Sequence, residues 1–433
     1  MIWNPGAEQA SLKDMRYHQS ESLKRIVELV YNRVPFYNNK INKANIKPED
    51  IETIEDIQKI PFTTKIELRD TYPYGLVAAN MEEIIELHAS SGTTGTPIVD
   101  AYTEKDIDIW SDSMARTLSM AGATRKDVIQ NAFGYGLFTG GFGVHYGARR
   151  IGAHIVPISA GNTQRQISVM RDFGATILTC TPSYSLYLAE TAKEMGIDFS
   201  KLKLKAGCFG AEPWSNDMRA EIEEKLNITA HDIYGLTEII GPGVAAECEA
   251  KNGLHINEDY FFPEIINPDT GEVLPEGEKG ELVFTTLTRT GTPLLRYRTR
   301  DITYLFREKC SCGRTNIKMH RLYGRNDDMM IIRGVNVFPS QIEEVLIQIE
   351  GTEPHYQIIL SRGENHLDEI DIEVEVMESF FSDETRKMED LRKKISDAVK
   401  SRLGINARIK LVEPKGIVRS EGKAKRVVDK RKI

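Results

Sequence analysis

Eight consecutive residues, Ser90-Ser91-Gly92-Thr93-Thr94-Gly95-Thr96-Pro97, have the composition of a phosphate cradle. Glycine lets the backbone turn so that successive N–H groups converge on an anion, and the hydroxyls add donors. A Walker-type loop would close on Gly-Lys-Ser/Thr, and this one has no lysine. Composition alone also admits a solvent-exposed polar turn. A second set suits a metal. Cys310-Ser311-Cys312-Gly313 puts two thiols on one turn, and Cys248 and His255 flank AKNGL in another loop. Three sulfurs and one imidazole complete a tetrahedral zinc shell of the structural type, with no position open for chemistry. Four unconnected residues are the plainer alternative, although both pairs lie in polar, glycine-bearing loops. Cys180 and Cys208 lie in apolar runs and are expected in the core.

These groups need elements to hold them. Leu23, Ile26, Val27, Val30 and Val34 recur at helical spacing, so the first eighty residues read as a charged helical layer. From about 84 to 290, short apolar runs alternate with glycine-rich turns and helical stretches, as in ATILTC, LKAGCFG, ITAHDIYG and GELVFTTL. That alternation predicts an α/β core with buried strands. The last hundred residues differ. VFPSQIEEVLIQIE predicts a helix opened by a capping box of Ser340 and Glu343. YQIILSR and EIDIEVEVME predict strands, the second with Ile370, Ile372, Val374 and Val376 on one face. Met388, Leu391, Ile395 and Val399 mark an amphipathic helix ending at Gly404, and ARIKLVEP predicts one more strand. This compact α+β module follows a boundary within GRNDDMMIIRG.

At 433 residues the chain is too long for one ordinary domain. A net charge of −8 argues against a general nucleic-acid binder. The opening MIWNPGAEQASLKD lacks a secretory pattern, no apolar run is long enough to span a bilayer, and five cysteines argue against a disulfide framework. The expected setting is the cytoplasm, with no membrane partner. A homodimer is compatible with the sequence.

Four further segments follow the loop in order: Tyr234-Gly235-Leu236-Thr237-Glu238, Tyr297-Arg298-Thr299-Arg300-Asp301, Gly324-Arg325-Asn326-Asp327-Asp328 and Arg419-Ser420-Glu421-Gly422-Lys423. Together they resemble the adenylate-forming superfamily of acyl-CoA synthetases, peptide-synthetase adenylation domains and luciferases. Within it the chain is similar to the aryl-acid–CoA ligases, from about residue 5 to the end. The resemblance implies a large multi-sheet α/β N-terminal domain, 1–325, and a small mobile α+β C-terminal domain, 326–433, with Asp327 at the hinge. It implies ATP, Mg²⁺ and coenzyme A as cofactors and a small aromatic carboxylic acid, phenylacetate or a close analogue, as substrate. It places Ser90, Ser91, Gly92, Thr93, Thr94, Gly95 and Thr96 on the phosphates. Ala211, Glu212, Pro213, Asp232, Tyr234, Gly235 and Thr237 fall around the nucleotide, with Asp301 and Arg325 as further contacts. Tyr234 offers a face for adenine, and Asp301, an acceptor-only carboxylate, suits both ribose hydroxyls.

Catalysis is expected from Lys423, Thr237 and Glu238, with Glu238 holding Mg²⁺. Sequence context alone leaves Lys423 one cation among many, since 410–433 carries nine Lys or Arg against three acids. The implied chemistry makes an acyl-adenylate, releases pyrophosphate, and then transfers the acyl group to the CoA thiol with loss of AMP. The segment 131–147 mixes aromatic residues with six glycines. In the resembled family it lines the acyl pocket, with Tyr135, Phe138 and Phe142 on one wall and Gly235 and Pro242 near the other; ordinary core is the alternative. Transfer to an amine, a carrier protein or another cofactor is the competing function.

Overall fold

The computed structural model describes residues 1–90, 96–325, 330–332, 335–362, 368–381, 385–420, 424 and 426–431. Its largest sheet has nine strands. Five are parallel, in the spatial order Thr229–Leu236, Ala206–Gly210, Ile177–Cys180, Val128–Asn131 and His154–Val156. Four antiparallel strands continue it through Gly241–Glu247, Leu254–Ile256, Lys318–Met319 and Leu305–Phe306. Helices Thr139–Ile151, Thr163–Asp172, Pro182–Glu194 and Asn216–Leu226 connect the parallel strands. The expected alternation of apolar run and helix is thus present. Ile177–Cys180 and Ala206–Gly210 are buried throughout, as strands covered on both faces must be. The chain reverses its direction of travel across the sheet between Val128–Asn131 and Ile177–Cys180. The C-terminal ends of strands near such a reversal are where open α/β sheets bind ligands.

A second, antiparallel sheet runs Phe261–Ile266, Gly280–Thr286, Tyr297–Thr303 and Gly324–Arg325. The helical layer Leu12–Arg33 packs Leu23, Ile26, Val27 and Val30 into the same core, and Val34 caps it. Cys180 and Cys208 are fully buried. No helix among the described residues is long and apolar enough to cross a membrane.

The C-terminal elements form a separate core, drawn only from residues between Met330 and Val427. Its sheet runs Arg408–Val412, Asp368–Val376, Thr352–Arg362 and Val427–Asp429. The alternation of Ile370, Ile372, Val374 and Val376 puts all four inside. Helix Thr385–Leu403 covers them with Leu391, Ile395 and Val399, and Gly404 ends it at φ +70°. The other helix, Pro339–Ile347, corrects the expected capping box. Phe338 is the N-cap, and the Gln341 side chain accepts its backbone N–H at 2.9 Å. Ser340 lies inside the first turn and donates to the Tyr323 carbonyl at 2.7 Å. Proline at the first helical position shifts the start by one to two residues.

Glu343 instead faces inward. It is buried, accepts from the Tyr356 hydroxyl at 3.2 Å, and its Oε1 has no hydrogen-bond partner. Burial, with the Glu212 carboxylate adding to it and Arg426 opposing it, pushes its carboxyl up to about 7. The unfolded chain releases this proton near pH 4.5, so stability is full below that value and is lost as pH rises through 7. Between pH 4 and 8 the stability gap should move by about 3 kcal/mol in favour of Glu343→Gln, as read by urea unfolding at both pH values.

Candidate functional site

Strand ends bring the expected residues to one edge. Ser90 and Thr96–Pro97 join the hairpin strands Ile84–Ala89 and Val99–Thr103. Ser90 closes the loop base: its N–H donates to the Ile98 carbonyl, and its Oγ accepts the Ile98 N–H, both at 2.9 Å. Its hydroxyl accepts within the hairpin and keeps its own proton to donate. Thr96 is exposed, and Ser91, Gly92, Thr93, Thr94 and Gly95 lie outside the described residues. Two buried groups hold the hairpin. Arg289 makes bonds of 2.8 and 3.2 Å to Asp100 and also donates to the carbonyls of Ile239 and Ala101. Asp106 accepts the N–H groups of Thr290 and Gly291.

Tyr234, Gly235, Thr237 and Glu238 sit at the end of the strand Thr229–Leu236 and in the turn after it. Glu238 is buried; the Tyr297 hydroxyl donates to it at 3.2 Å, and Lys65 pairs with it at 3.3 Å. Lys65 opens the short helix Lys65–Asp70, and nothing in its local sequence marked it. The Thr237 hydroxyl meets that of Thr139 at 3.4 Å. Asp301 and Arg325 are Cα partners across adjacent strands, so sheet register alone joins two residues far apart in the chain. Asp301 is buried and accepts the Tyr234 hydroxyl at 2.6 Å. The Tyr234 ring stacks on Phe284 with 6.2 Å between centroids. Asp232 is buried in the same strand; burial, reinforced by Glu247, pushes its carboxyl up to about 7.

Ala211, at φ +71°, and Pro213 are exposed at the end of the strand Ala206–Gly210. Glu212 between them is committed. Its Oε1 accepts the Ser183 N–H at 2.8 Å, at the start of a helix where negative charge is favoured, and its Oε2 accepts the Ala424 N–H at 3.1 Å. Asp327 and Lys423 lie outside the described residues.

On the acyl side, Tyr135 and Phe142 meet edge-on at 5.3 Å. The Tyr135 hydroxyl accepts from Asn131 at 2.8 Å and lies 3.2 Å from His145 Nδ1. Gly235 pairs with Pro242 in register, and a Cβ there would lie 2.1 Å from the Gly241 carbonyl oxygen, so only glycine fits. Phe138 stands apart, 51% exposed at the N-cap of the helix Thr139–Ile151. Sequence reasoning missed His88, buried under Phe142 and bonded to Glu86 at 2.6 Å.

The four metal candidates converge, with all ligand atoms within 4.8 Å of one another. Cys248 Sγ lies 3.6 Å from Cys310 Sγ, and Cys312 Sγ lies 3.5 Å from His255 Nε2. Tetrahedral zinc, with Zn–S about 2.3 Å and Zn–N about 2.0–2.1 Å, requires S···S of about 3.8 Å and S···N of about 3.6 Å. Burial opposes ionisation of Cys312, yet its bonds to His255 and Arg314 bring the thiol down to about 5.

Comparison with known proteins bears on this arrangement. The AMP-binding enzyme family model matches residues 13–288, and the AMP-binding enzyme C-terminal domain model matches 334–431. A phenylacetate-coenzyme A ligase from Thermus thermophilus is 46% identical over 446 residues, spanning 100% of both chains. One from Escherichia coli is 47% identical, over 98% of this chain and 97% of its own. Among solved structures, a 2-hydroxyisobutyryl-CoA ligase in its postadenylation state, with a bound acyl-AMP, is 28% identical and superposes at a TM-score of 0.93, over 99% of this chain and 92% of that one. The same ligase in its thioesterification state, with CoA, superposes at 0.73.

Proposed function

Because the chain belongs to the phenylacetate–coenzyme A ligases of the AMP-binding enzymes, we propose that the residues assembled above divide the family's two-step reaction between them. The enzyme joins a carboxylic acid to coenzyme A at the expense of ATP, through an acyl-adenylate. The acid is phenylacetate or a close aromatic analogue. The observation that carries the division of labour is the bond from Ala424 N–H to Glu212. It ties the residue after Lys423 to the turn that follows a central strand.

In the first step the substrate carboxylate attacks the α-phosphate and pyrophosphate leaves. Lys423 neutralises charge between carboxylate and phosphate, and the 90–96 loop receives the departing phosphates. Asp301 accepts the ribose hydroxyls, with Arg325 beside it. Glu238 and the Thr237 hydroxyl are the oxygen donors available to Mg²⁺, which needs few protein ligands when phosphates supply the rest. When bound, Mg²⁺ offsets the charge of the phosphate oxygens. In the second step the CoA thiol attacks the acyl carbonyl, and AMP leaves. That step needs the C-terminal unit in another position, with Asp327 as the hinge residue. Tyr135, Phe142, Gly235 and Pro242 form the aromatic-lined end that receives the acid's ring.

The four-ligand cluster is a structural zinc site. Zinc with three thiolates and one imidazole carries a net charge of about −1. Lys318, paired in register with His255, is fully buried; its ammonium lies 4.5 Å from the Phe306 ring centroid and has no hydrogen-bond partner among the described residues, and a buried cation on this strand suits a negatively charged cluster. Five unpaired thiols, three of them in this cluster, suit the cytoplasm.

Pyrophosphate exchange over a panel of aromatic and aliphatic acids tests the substrate class, and CoA-dependent AMP release tests the acceptor. Exchange with amines or carrier proteins as sole acceptors would instead favour the competing transfer. Elemental analysis should find one zinc per chain in the parent protein and a loss of it in Cys312→Ser. The variant should also melt earlier, because Arg314, next but one to Cys312, holds buried Glu8 of the N-terminal segment at 2.5 Å.

A further inference from the structure

The basic tail is not a free cationic face. Among the described residues, Lys410, Lys415, Arg419, Arg426 and Arg431 pair with carboxylates, and two of those, Glu190 and Glu194, belong to the N-terminal unit. Arg419 donates twice to Glu375 of its own sheet, at 2.6 and 2.7 Å, which fixes the guanidinium. Its remaining Nε reaches across to Glu190 at 3.1 Å. Glu190, on the helix Pro182–Glu194, also takes His355 Nε2 at 2.5 Å. Lys415 pairs with Glu194 one turn further along the same helix. At the start of that helix the Arg426 guanidinium donates to Ser183 Oγ at 3.3 Å, and Glu212 links Ser183 N–H to Ala424 N–H. One helix therefore holds the chain before residue 423 at Arg419 and after it at Arg426, and through Glu212 at Ala424.

We infer that Glu190 is a positioning residue for adenylation: through His355 and Arg419 it latches the C-terminal unit so that Lys423 stays at the nucleotide. The inference rests on Lys423 being the adenylating lysine. Three observations carry it. Glu190 receives two donors, an imidazole and a guanidinium, from separate C-terminal elements, and it touches none of the residues assigned to substrate. The latched arrangement is the one that matches the relative's postadenylation state and departs from its thioesterification state. The latch is also reversible by construction. Arg419 keeps its Glu375 partner when the seam opens, and Glu190 is partly exposed and readily hydrated, so neither charge is stranded.

A residue that stabilises one of two positions moves their ratio by the free energy of its cross-seam bonds, typically a 5–150-fold coupling. Glu190→Gln should therefore slow pyrophosphate exchange roughly tenfold, while CoA transfer from supplied acyl-adenylate stays within about twofold or speeds up. His355→Gln should act in the same direction, and the double variant should fall short of the product of the two single effects. Glu190→Asp should recover part of the exchange rate. Proportional loss of both half-reactions in Glu190→Gln, or unchanged exchange, would overturn the latch. Unchanged exchange in Lys423→Ala would remove the premise itself, whereas inactive Lys423→Ala beside unaffected Glu190→Gln would remove only the latch.

Discussion

Lys423→Ala should lower pyrophosphate exchange by roughly 10²–10³-fold, the scale of losing one preorganised charge at a reacting phosphate. The same variant should still form thioester when given acyl-adenylate and CoA. The reason is spatial. The 90–97 loop has no lysine, so the first step lacks a cation from that quarter. On the proposed reading, Lys423 of the tail supplies one only while the C-terminal unit is docked, as the bond from Ala424 to Glu212 marks it. Thioester formation does not break a phosphoanhydride bond and needs no such cation. Single-turnover assays of each half-reaction are the measurement. Equal losses in both would mean that the lysine acts through folding or through CoA binding.

Arg289→Met should destabilise the protein by about 3–5 kcal/mol, a large fraction of the about 5–15 kcal/mol that holds a domain together. Arg289 is fully buried and joins Asp100 in the phosphate-loop hairpin to the Ile239 carbonyl, next to Glu238. Its removal strands Asp100 without a counter-charge. The protein that remains folded should show slower pyrophosphate exchange, because the hairpin has lost its tie to the turn that carries Glu238. Replacing the pair together, as Arg289→Met with Asp100→Leu, should recover much of the stability, since an absent pair costs less than a broken one. Denaturant unfolding of the three variants decides this. A single variant as stable as the parent would mean that the buried Arg289 charge contributes nothing net against Asp100 and Asp106, the latter 3.6 Å from the same guanidinium.

What could be read from the residues has a common character: it is local. The period-two run from Ile370 to Val376 and the helical spacing of Leu391, Ile395 and Val399 report their own burial. The two metal half-sites were legible as pairs because each spans only a few residues of chain, although His255 lies in the strand Leu254–Ile256 and not in the loop. Their union depends on strand pairing of His255 with Lys318 and was open to inference only through ligand chemistry. The contacts that position the site are long-range and left no local trace. Lys65 with Glu238, Arg289 with Asp100 and Glu190 with His355 are all joined by folding alone. Two expectations at Ser340 and Glu343 failed because a capping pattern competes with burial. Gln341 reaches the cap, and Glu343 is on the inward face of the helix. The charged tail was equally illegible, since the partners of Lys415 and Arg419 lie elsewhere in the chain.

Among the described residues, the seam between the two units is built mainly from carboxylates, guanidinium groups, an ammonium, an imidazole and backbone amides, with Ile347 on the neighbouring core and Phe338 against Gly324 as apolar contacts. Opening it wets mainly polar surface. Exposed apolar surface raises heat capacity, and exposed polar surface lowers it slightly. The swing between half-reactions should therefore lack the strong curvature with temperature that unfolding shows. A van't Hoff plot of the docked fraction should be nearly straight over the range in which the protein stays folded. The enzyme would then keep a similar balance of its two steps from cool to warm conditions, without re-tuning either chemical site.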